Sequence, residues 1–526
     1  MHSHPSPDCR WSFPVELSRR DELICKRLKR TGRLFAFLRR QRHRLFDEAF
    51  QSELAKMYSD APRGVRPLPP AMLAMVTLLQ AYEQKSDAAA VEEAVFDMRW
   101  QMVLDCIGTE EPPFSQGVLV DFRRRLVAHN MDKRLLERTV ELAEETGEFG
   151  AKQLRVALDS SPLWGAGRVE DTFNLIGHAM AVVIDCAAQV LEVPVDQVRK
   201  EARLELVGGS SLKARLDIDW DDPEQQSDAL QRLLAEVQRL RDFVASRLEK
   251  AAEQPPLKQA LDLLEKVIGQ DLEPDPKGGM RIREGTAKDR RISVTDPDMR
   301  HGRKSRSKVI NGYKRHIAVD LAGSLILAAT VRPANEPEHC AAEVLRPDIE
   351  KFGTVAELHI DRGYLASPWT QTLHDTGKRI LSKPWVPRNG DRFPKTRFAI
   401  DLARQTVECP EGVTAGIVAH KAVFPAEACA ECPVRAQCTR AKRGRGRTVS
   451  IHPQEALLLQ LRALKSTSAG RADLRLRTAV EHGLAHLSRR QGPRARYKGA
   501  RMNTLDVRRI AAVENLHVLD RMQKAA

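Results

Sequence analysis

Two aspartates directly follow short apolar runs that are typical of buried strands. Asp159 comes after LRVAL (Leu154–Leu158), and Asp361 comes after VAELHI (Val355–Ile360). A carboxylate just past the carboxyl end of a strand is exposed at the mouth of an α/β sheet, where such folds place their sites. Carboxylates are the hard oxygen ligands that Mg²⁺ prefers, and two ions roughly 3.5–4 Å apart can stabilise both oxygens of an in-line displacement at phosphorus. The two aspartates therefore predict metal-assisted phosphoryl transfer, provided that a third carboxylate joins them.

Glu481 is the best candidate for the third carboxylate. It lies in a helix predicted over Asp473–Ser488, with Arg477 four residues earlier near the same face. Two other acids are interpreted as structural, because Asp320 falls in a tight hairpin and Glu514 on an apolar helix. An isolated acid is more often a helix cap, a turn residue or a surface ion partner than a catalytic group, so spacing by itself leaves both interpretations open.

Four of the nine cysteines fall within 30 residues of one another. Cys429-x2-Cys432-x5-Cys438 has the short spacing of a zinc knuckle, and Cys409 would supply a fourth thiolate. Four thiolates saturate a tetrahedral zinc ion, so the predicted site is structural. A redox CxxC pair and unliganded thiols are the alternatives, and the Pro-rich, charged surroundings argue against a thioredoxin-like pair.

The charge of the chain is unevenly distributed. Its 526 residues include 85 Lys and Arg against 71 Asp and Glu, a net charge of +14. The excess lies in residues 1–45 (+8), 281–320 (+7) and 435–526 (+15), which leaves −16 elsewhere. Three basic blocks favour a surface that follows a phosphate backbone, although solvated faces would give the same composition. The longest apolar runs, Ala71–Leu79 and Leu325–Val331, fall short of the roughly 20 residues that cross a bilayer, so we expect an intracellular protein with a polyanionic partner and no membrane span.

The elements that must position these residues change character near residue 150. Before it, apolar residues recur at helical spacing; after it, short apolar runs alternate with helices, which is typical of an α/β fold. Gln226–Lys266 is a charged helical stretch broken at Pro255–Pro256, and residues 388–450 are rich in Pro, Arg and Cys, so we expect insertions at both places. Helices are predicted over Ala71–Tyr82, Asp87–Met98 and Ser115–His129, and a hairpin over Tyr313–Asp320 and Leu325–Val331.

The segments around the three acids resemble a known family. LDSSPLWGAGRVEDTFNLIG around Asp159, IDRGYLASPW around Asp361 and RTAVEHGLAHL around Glu481 resemble the three acidic motifs of bacterial insertion-sequence transposases of the DDE class. TDPDMRHGRKSRSKVINGYKRHIAVD resembles their strand-rich lead-in between the first two acids, and ACAECPVRAQCT resembles the Cys-rich insertion of one subgroup. RPLPPAMLAMVTLLQAYEQKSDAAAVEEAV and FSQGVLVDFRRRL resemble their helical N-terminal domain. The motifs occur in the expected order over most of the chain.

This resemblance implies a ribonuclease-H-like catalytic core of the α/β class over residues 149–526, preceded by a helical DNA-binding and dimerisation domain over residues 1–148. It places a helical insertion at about 222–270 and a Cys-rich insertion at about 388–450. Asp159, Asp361 and Glu481 would hold Mg²⁺ or Mn²⁺ for cleavage at the transposon ends and for strand transfer. The expected partners are terminal inverted repeats, target DNA and a second copy of the chain, in the bacterial cytoplasm at the nucleoid.

One departure from the family concerns the residue seven positions after the glutamate. Many relatives place a lysine there to hold a terminal phosphate, whereas this chain has Ser488, followed by Arg489 and Arg490. We predict DNA contacts for Arg477, Arg489, Arg490 and Lys498. Two alternatives stay open: a transposase-derived DNA-binding protein without catalysis, and a nuclease of the same fold that acts on other DNA or RNA.

Overall fold

The first part of the chain is helical, as its periodicity predicts. The computed structural model describes residues 9–29, 32–58, 66–150, 153–208, 211–303, 307–442 and 444–525. Ser86 and Ser115 each cap a helix, because their side-chain oxygens accept backbone N–H groups three residues later. The helices are α1 (Arg19–Arg27), α2 (Arg33–Leu45), α3 (Glu48–Ala55), α4 (Pro70–Glu83), α5 (Asp87–Phe96), α6 (Met98–Leu104), α7 (Gln116–Ala128) and α8 (Met131–Glu145).

An insertion with its own apolar core follows the first strand, β1 (Gln153–Trp164). This core includes residues from Phe173 to Val294, so the insertion begins before and ends after the predicted range of about 222–270. Among the helices that the structure describes, only Thr172–Leu191 is long and apolar enough to cross a membrane, by length and composition alone. More than half of its apolar stretch is buried. The elements are α9 (Thr172–Leu191), α10 (Val195–Glu201), α11 (Leu212–Leu216), α12 (Pro223–Arg247), α13 (Glu249–Ala252), α14 (Leu257–Asp271), β2 (Leu272–Pro274) and β3 (Met280–Ile282).

The largest sheet has six strands and mixed direction. Its remaining strands are β4 (Arg300–Arg303), β5 (Val309–Asp320), β6 (Ile326–Pro333), β7 (Thr354–His359) and β8 (Arg379–Leu381); α15 (Glu338–Glu350) precedes β7 and α16 (Pro368–Asp375) follows it. The order is β6-β5-β1-β7-β8, with β4 paired to the start of β5. β5 is antiparallel to β1 and β6, whereas β7 and β8 run parallel to β1. The predicted hairpin of β5 and β6 is confirmed, and Asp320 has the expected turn role because it accepts the Gly323 N–H at 2.5 Å.

The Cys-rich segment forms a second, five-stranded antiparallel sheet with a small core of its own. These strands were not predicted, because most are only three residues long and lack a run of apolar residues. They are ordered β13-β12-β11-β10-β9. The elements are β9 (Ala399–Asp401), β10 (Thr406–Glu408), β11 (Thr414–Val418), β12 (Lys421–Val423), α17 (Ala426–Ala430), α18 (Arg435–Cys438) and β13 (Thr448–Ser450).

The C-terminal helices join the N-terminal helices to the large sheet. They are α19 (Glu455–Ser466), α20 (Ser468–Arg475), α21 (Thr478–Gln491) and α22 (Ala500–Ala525). α22 packs against α4, α8 and β6, and a single apolar core includes residues of the N-terminal helices, the sheet and α22. Asp132 on α8 is buried and pairs with Arg501 and Arg508 of α22. The first 148 residues are therefore packed into the same core as the sheet.

Candidate active site

Asp159 and Asp361 lie at matching positions on neighbouring parallel strands. In the register of β1 and β7, Ala157 pairs with His359, the last pair of that ladder. Each aspartate follows two residues later, so both lie at the edge of the sheet where the two strands separate. The sequence analysis predicted that Asp159 stands past the end of its strand, and this prediction is wrong. Asp159 lies inside β1, because residues 159–164 continue to pair with β5.

Helix α21 carries Glu481 to this edge, since it packs against β1 and β5. Glu481 lies in the first turn of α21, and its side chain is half exposed. The guanidinium of Arg477, immediately before the helix, donates to Asp159 Oδ2 at 2.9 Å and to Glu481 Oε1 at 2.6 Å. One cation therefore joins two of the three predicted acids. The shared face of Arg477 and Glu481 was predicted, but the ion pair with Asp159 was not.

The three carboxylates act on one another electrostatically. Burial raises the pKa of the Asp159 carboxyl, the neighbouring charge of Arg477 opposes the rise, and the negative charges of Asp361 and Glu481 add to it. The Ser160 N–H also stabilises the ionised form, since it donates to Asp159 Oδ1 at 2.8 Å. The pKa of Asp159 is raised because burial and the two neighbouring acids outweigh the opposing effects of Arg477 and the Ser160 N–H.

The Asp361 carboxylate does not cap the turn that follows it. The residue precedes a 3₁₀ turn over Arg362–Tyr364 and has an extended backbone, with φ −80° and ψ 164°. Residues in this position commonly cap the turn with the side chain, but Asp361 makes no such hydrogen bond. The turn therefore does not use the Asp361 carboxylate as a cap.

The donor set fits a hard divalent cation, because all three acids supply carboxylate oxygens. The Arg477 guanidinium already places a positive charge between two of them. Among the residues that the structure describes, no group of three or more His, Cys, Asp or Glu side chains is arranged to hold a metal ion. The planar guanidinium occupies the space between Asp159 and Glu481, so coordination by both requires Arg477 to withdraw from at least one of them.

Two protein-family models match the chain. The first, described as a transposase DDE domain, matches residues 408–520, which include Glu481 and all four clustered cysteines. The second, described as a transposase domain (DUF772), matches residues 27–125. Both matches are to transposase domains, and together they support an insertion-sequence DDE transposase. Asp159 and Asp361 lie outside both matched ranges, and no curated protein and no solved structure matches this transposase.

The basic residues predicted to contact DNA have different surroundings in the transposase. Arg489 and Lys498 are exposed. Arg490 instead donates to the Glu514 carboxylate and to the Tyr82 carbonyl oxygen at 3.0 Å, and it lies over the Tyr82 ring. Arg490 therefore docks α21 onto α4 and α22 instead of projecting into solvent.

Two arginines of the N-terminal basic block, in residues 1–45, are buried. Arg39 and Arg42 of α2 are only 1% and 0% exposed. Arg39 pairs with Asp21, and Arg42 pairs with Asp105. A buried charge is tolerated when it is paired and hydrogen-bonded, so these arginines stabilise the helical region. The net charge of +8 in residues 1–45 therefore overstates the charge that this region can offer to DNA.

Arg315 of β5 is a positioning residue that the sequence analysis missed. It donates to Ser161 Oγ, to the Pro162 carbonyl and to Gln491 Oε1, each at 2.9 Å. Burial lowers the pKa of Arg315 to about 10. These bonds tie β1 to the last residue of α21 and so fix the helix that carries Glu481. Ser488, at the position where relatives have lysine, lies against the same strand, 3.4 Å from Ser161 Oγ.

The four cysteines predicted to bind zinc line one cavity of about 330 Å³. All four are free thiols. Burial raises the pKa of Cys438, the charge of Arg447 lowers it, and the other three thiols raise it again, so all four sulfur atoms share one neighbourhood. The Arg447 N–H also donates to Cys429 Sγ at 3.5 Å. The fold thus gathers the predicted set, although the thiols are not in a coordinating arrangement.

Proposed function

We propose that this transposase cleaves DNA at the ends of an insertion sequence and transfers the freed strands to a target, using divalent cations held by Asp159, Asp361 and Glu481. One observation carries the proposal. The two aspartates leave matching positions of paired parallel strands, and Arg477 links the first of them to a glutamate on a helix packed against the same strands.

The order of the large sheet supports a ribonuclease-H-like core. Three neighbouring antiparallel strands, β1, β5 and β6, are extended on the other side of β1 by two parallel strands, β7 and β8. The first carboxylate lies on the central strand and the second follows the adjacent parallel strand. This is the arrangement that the resemblance to the family implies.

Bound Mg²⁺ or Mn²⁺ would supply the Lewis-acid chemistry of in-line phosphoryl transfer, which activates water or a 3′-hydroxyl and stabilises the departing 3′ oxygen. Asp159, Asp361 and Glu481 would bind the cations and fix their separation. In the structure, Arg477 neutralises Asp159 and Glu481, and it would be free to contact a DNA phosphate after it withdraws from them. Arg489 and Lys498 are exposed and would bind the phosphate backbone beside the site.

Two transposon ends must be brought together for transposition, so we include a homodimer acting on chromosomal DNA in the bacterial cytoplasm as part of the proposal. The exposed Arg489, on the helix that carries Glu481, supports a DNA path along this helix. A nuclease of the same fold would cleave unrelated duplexes as readily as a transposon end. A DNA-binding protein without catalysis would bind the end and leave it intact.

The test is strand cleavage of a labelled duplex that carries the terminal inverted repeat, with Mg²⁺ and the full-length chain. The parent is expected to cleave at the repeat and Asp361→Asn is expected to lose cleavage. Asp375→Asn is the matched control, because its carboxylate is exposed at the end of α16. Cleavage by Asp361→Asn at the parental rate would show that the carboxylate assignment is wrong, and equal cleavage of a scrambled duplex would favour the nuclease.

The proposal includes a structural zinc ion held by Cys409, Cys429, Cys432 and Cys438. The common cavity and the N–H donated to Cys429 support it, since zinc-bound thiolates accept such hydrogen bonds. Elemental analysis of the purified chain is expected to find about one zinc per chain. The metal should be lost when Cys429 and Cys432 are both changed to Ser and kept in Cys186→Ser. Absence of zinc from freshly purified parent would contradict the assignment.

A further inference from the structure

A fourth carboxylate, that of Glu338, lies behind the two aspartates. Glu338 is the first residue of α15, and its Oε1 accepts a hydrogen bond from Ser160 Oγ at 2.6 Å. Ser160 directly follows Asp159 and donates its N–H to the Asp159 carboxylate. Glu338 is therefore one hydroxyl group away from the first catalytic aspartate, on an element that neither family-model match includes.

The other oxygen of Glu338 faces the segment after Asp361. A Cβ atom on Gly363 would collide with Glu338 Oε2 and would lie 3.0 Å from its carboxyl carbon. Gly363 has no positive φ, so the constraint on this glycine comes from the close approach of the Glu338 carboxylate, which the hydrogen bond from Ser160 holds in place, and not from backbone strain. One side chain thus contacts the residue one position after Asp159 and the residue two positions after Asp361.

A buried tyrosine–histidine pair lies beside Glu338. The Tyr364 hydroxyl is 2.7 Å from His316 Nδ1, and both side chains are buried. Burial lowers the pKa of His316 to about 3, so Nδ1 of its neutral ring can accept a hydrogen bond from the tyrosine hydroxyl. Burial raises the pKa of Tyr364, and the charges of Glu338, Asp159 and Asp361 add to the rise. The tyrosine stays protonated and gives this wall of the site a fixed, neutral shape.

We propose that Glu338 is a positioning residue that sets the separation of Asp159 and Asp361. The backbone ladder between β1 and β7 ends at Ala157 and His359, so it does not fix the residues beyond that pair. The hydrogen bond to Ser160 and the close packing on Gly363 hold the two segments where the ladder has stopped. Two cations need ligands held within about 0.5 Å of the productive geometry, and Glu338 supplies that constraint. The inference rests on the proposed function of the three acids.

The test measures cleavage of the labelled transposon end by the full-length chain as Mg²⁺ is varied. Glu338→Ala is expected to lower the maximal rate by about 10-fold or more and to raise the Mg²⁺ concentration needed for half-maximal rate, with end binding unchanged. Glu338→Gln keeps an oxygen that accepts from Ser160, so it is expected to restore most of the rate. Glu336→Gln is the matched control, because that carboxylate pairs with Arg332 and should cleave like the parent.

Gly363→Ala provides a second variant that does not alter the carboxylate. It is expected to slow cleavage in the parent and to cost little more in the Glu338→Ala background, where the colliding group is gone. If Glu338→Ala melts below the assay temperature, the test of the inference rests on Glu338→Gln and Gly363→Ala. The melting temperature of each variant is measured.

Three results would overturn the inference: parental cleavage by Glu338→Ala, fully additive losses from Glu338→Ala and Gly363→Ala, or equal losses in the Ala and Gln variants at unchanged melting temperature. The last result would mean that the charge itself is required, as in a metal ligand. Failure of the proposed function would give a different result from failure of this inference. A parent chain that does not cleave refutes both, whereas a cleaving parent with an unaffected Glu338→Ala refutes only this inference.

Discussion

The carboxylate site and the thiol cluster are assembled over very different lengths of chain. Asp159 and Arg477, which form one ion pair, are 318 residues apart, and Asp361 comes from a third segment. The four thiols fall within residues 409–438 and line one cavity of a small sheet. The first site therefore requires β1, β7 and α21 to be packed together, whereas the second requires only its own short strands and turns.

This difference predicts that the two sites affect stability in opposite directions. The carboxylates repel one another and Asp159 is buried, and Arg477 offsets only part of this, so the site costs the folded state free energy until a metal cation is bound. The thiols belong to a core with few large apolar side chains, chiefly Phe398 and Phe424. A core of that size needs a further constraint such as a structural metal ion.

The largest expected effect is that of Asp159→Asn. Loss of this ligand is expected to reduce cleavage on the order of 1000-fold or more, since a metal ligand supplies several kcal/mol of transition-state stabilisation. The same change should raise the melting temperature at pH 7. Because burial raises the pKa of Asp159, the ionised carboxylate destabilises the folded state.

The pH dependence of this stabilisation follows from the sign of the pKa shift. The stability contributed by protonated Asp159 is complete below the unfolded pKa of about 3.9 and is lost as the pH rises through the folded value. The difference in melting temperature between Asp159→Asn and the parent should therefore grow from pH 4 to pH 7. Asp375→Asn, measured alongside, should show no such growth, and a constant or reversed difference for Asp159→Asn would contradict the cost assigned to the carboxylate.

Cys432→Ser tests the other region. It is expected to release the zinc ion and to destabilise the small sheet by several kcal/mol. The amide exchange rates of β10 and β11 should then increase on the order of 100-fold or more. Amides of β1 and β5 should keep their protection, because the thiol cluster belongs to a separate core. Cys186→Ser on α9 is the control. Equal loss of protection in both sheets would show that the regions are not independent.

The local features of both regions were predictable from the sequence, and the long-range ones were not. An apolar run followed by aspartate correctly indicated β7 and Asp361. The same pattern ended β1 too early at Asp159, because the apolar run stops there and SSPLW is held in the strand by long-range contacts. It pairs with β5, and Trp164 also exchanges backbone hydrogen bonds with Pro493 and Ala495. Glu338 was missed because it begins a helix within a polar segment, and nothing near it in the sequence indicates the contact with Ser160, 178 residues away.

Charge was the weakest guide, because sequence counts do not distinguish a paired arginine from an exposed one. Arg490→Ala is expected to lower the free energy of unfolding by about 2 kcal/mol, since it removes one member of a partly buried pair with Glu514. Binding to the transposon end should change little. Arg489→Ala is the matched control: it should leave stability unchanged and reduce the salt dependence of binding by about one ion. The reverse pattern would return Arg490 to the DNA surface.

The smallest expected effect concerns the competition between Arg477 and a bound cation. Metal binding must displace the guanidinium from Asp159 or Glu481, so Arg477→Gln is expected to tighten Mn²⁺ binding about fivefold, the equivalent of about 1 kcal/mol for a partly exposed ion pair. The titration should be made near pH 8, because removal of Arg477 raises the pKa of Asp159 further and protons would otherwise compete with the metal. Arg475→Gln, two residues earlier and exposed, is the control. Unchanged or weaker Mn²⁺ binding would mean that the guanidinium supports the cation instead of substituting for it. The carboxylate site would then resemble the thiol cluster in one respect, because there the backbone N–H of Arg447 donates to Cys429 Sγ and does not replace a metal ion.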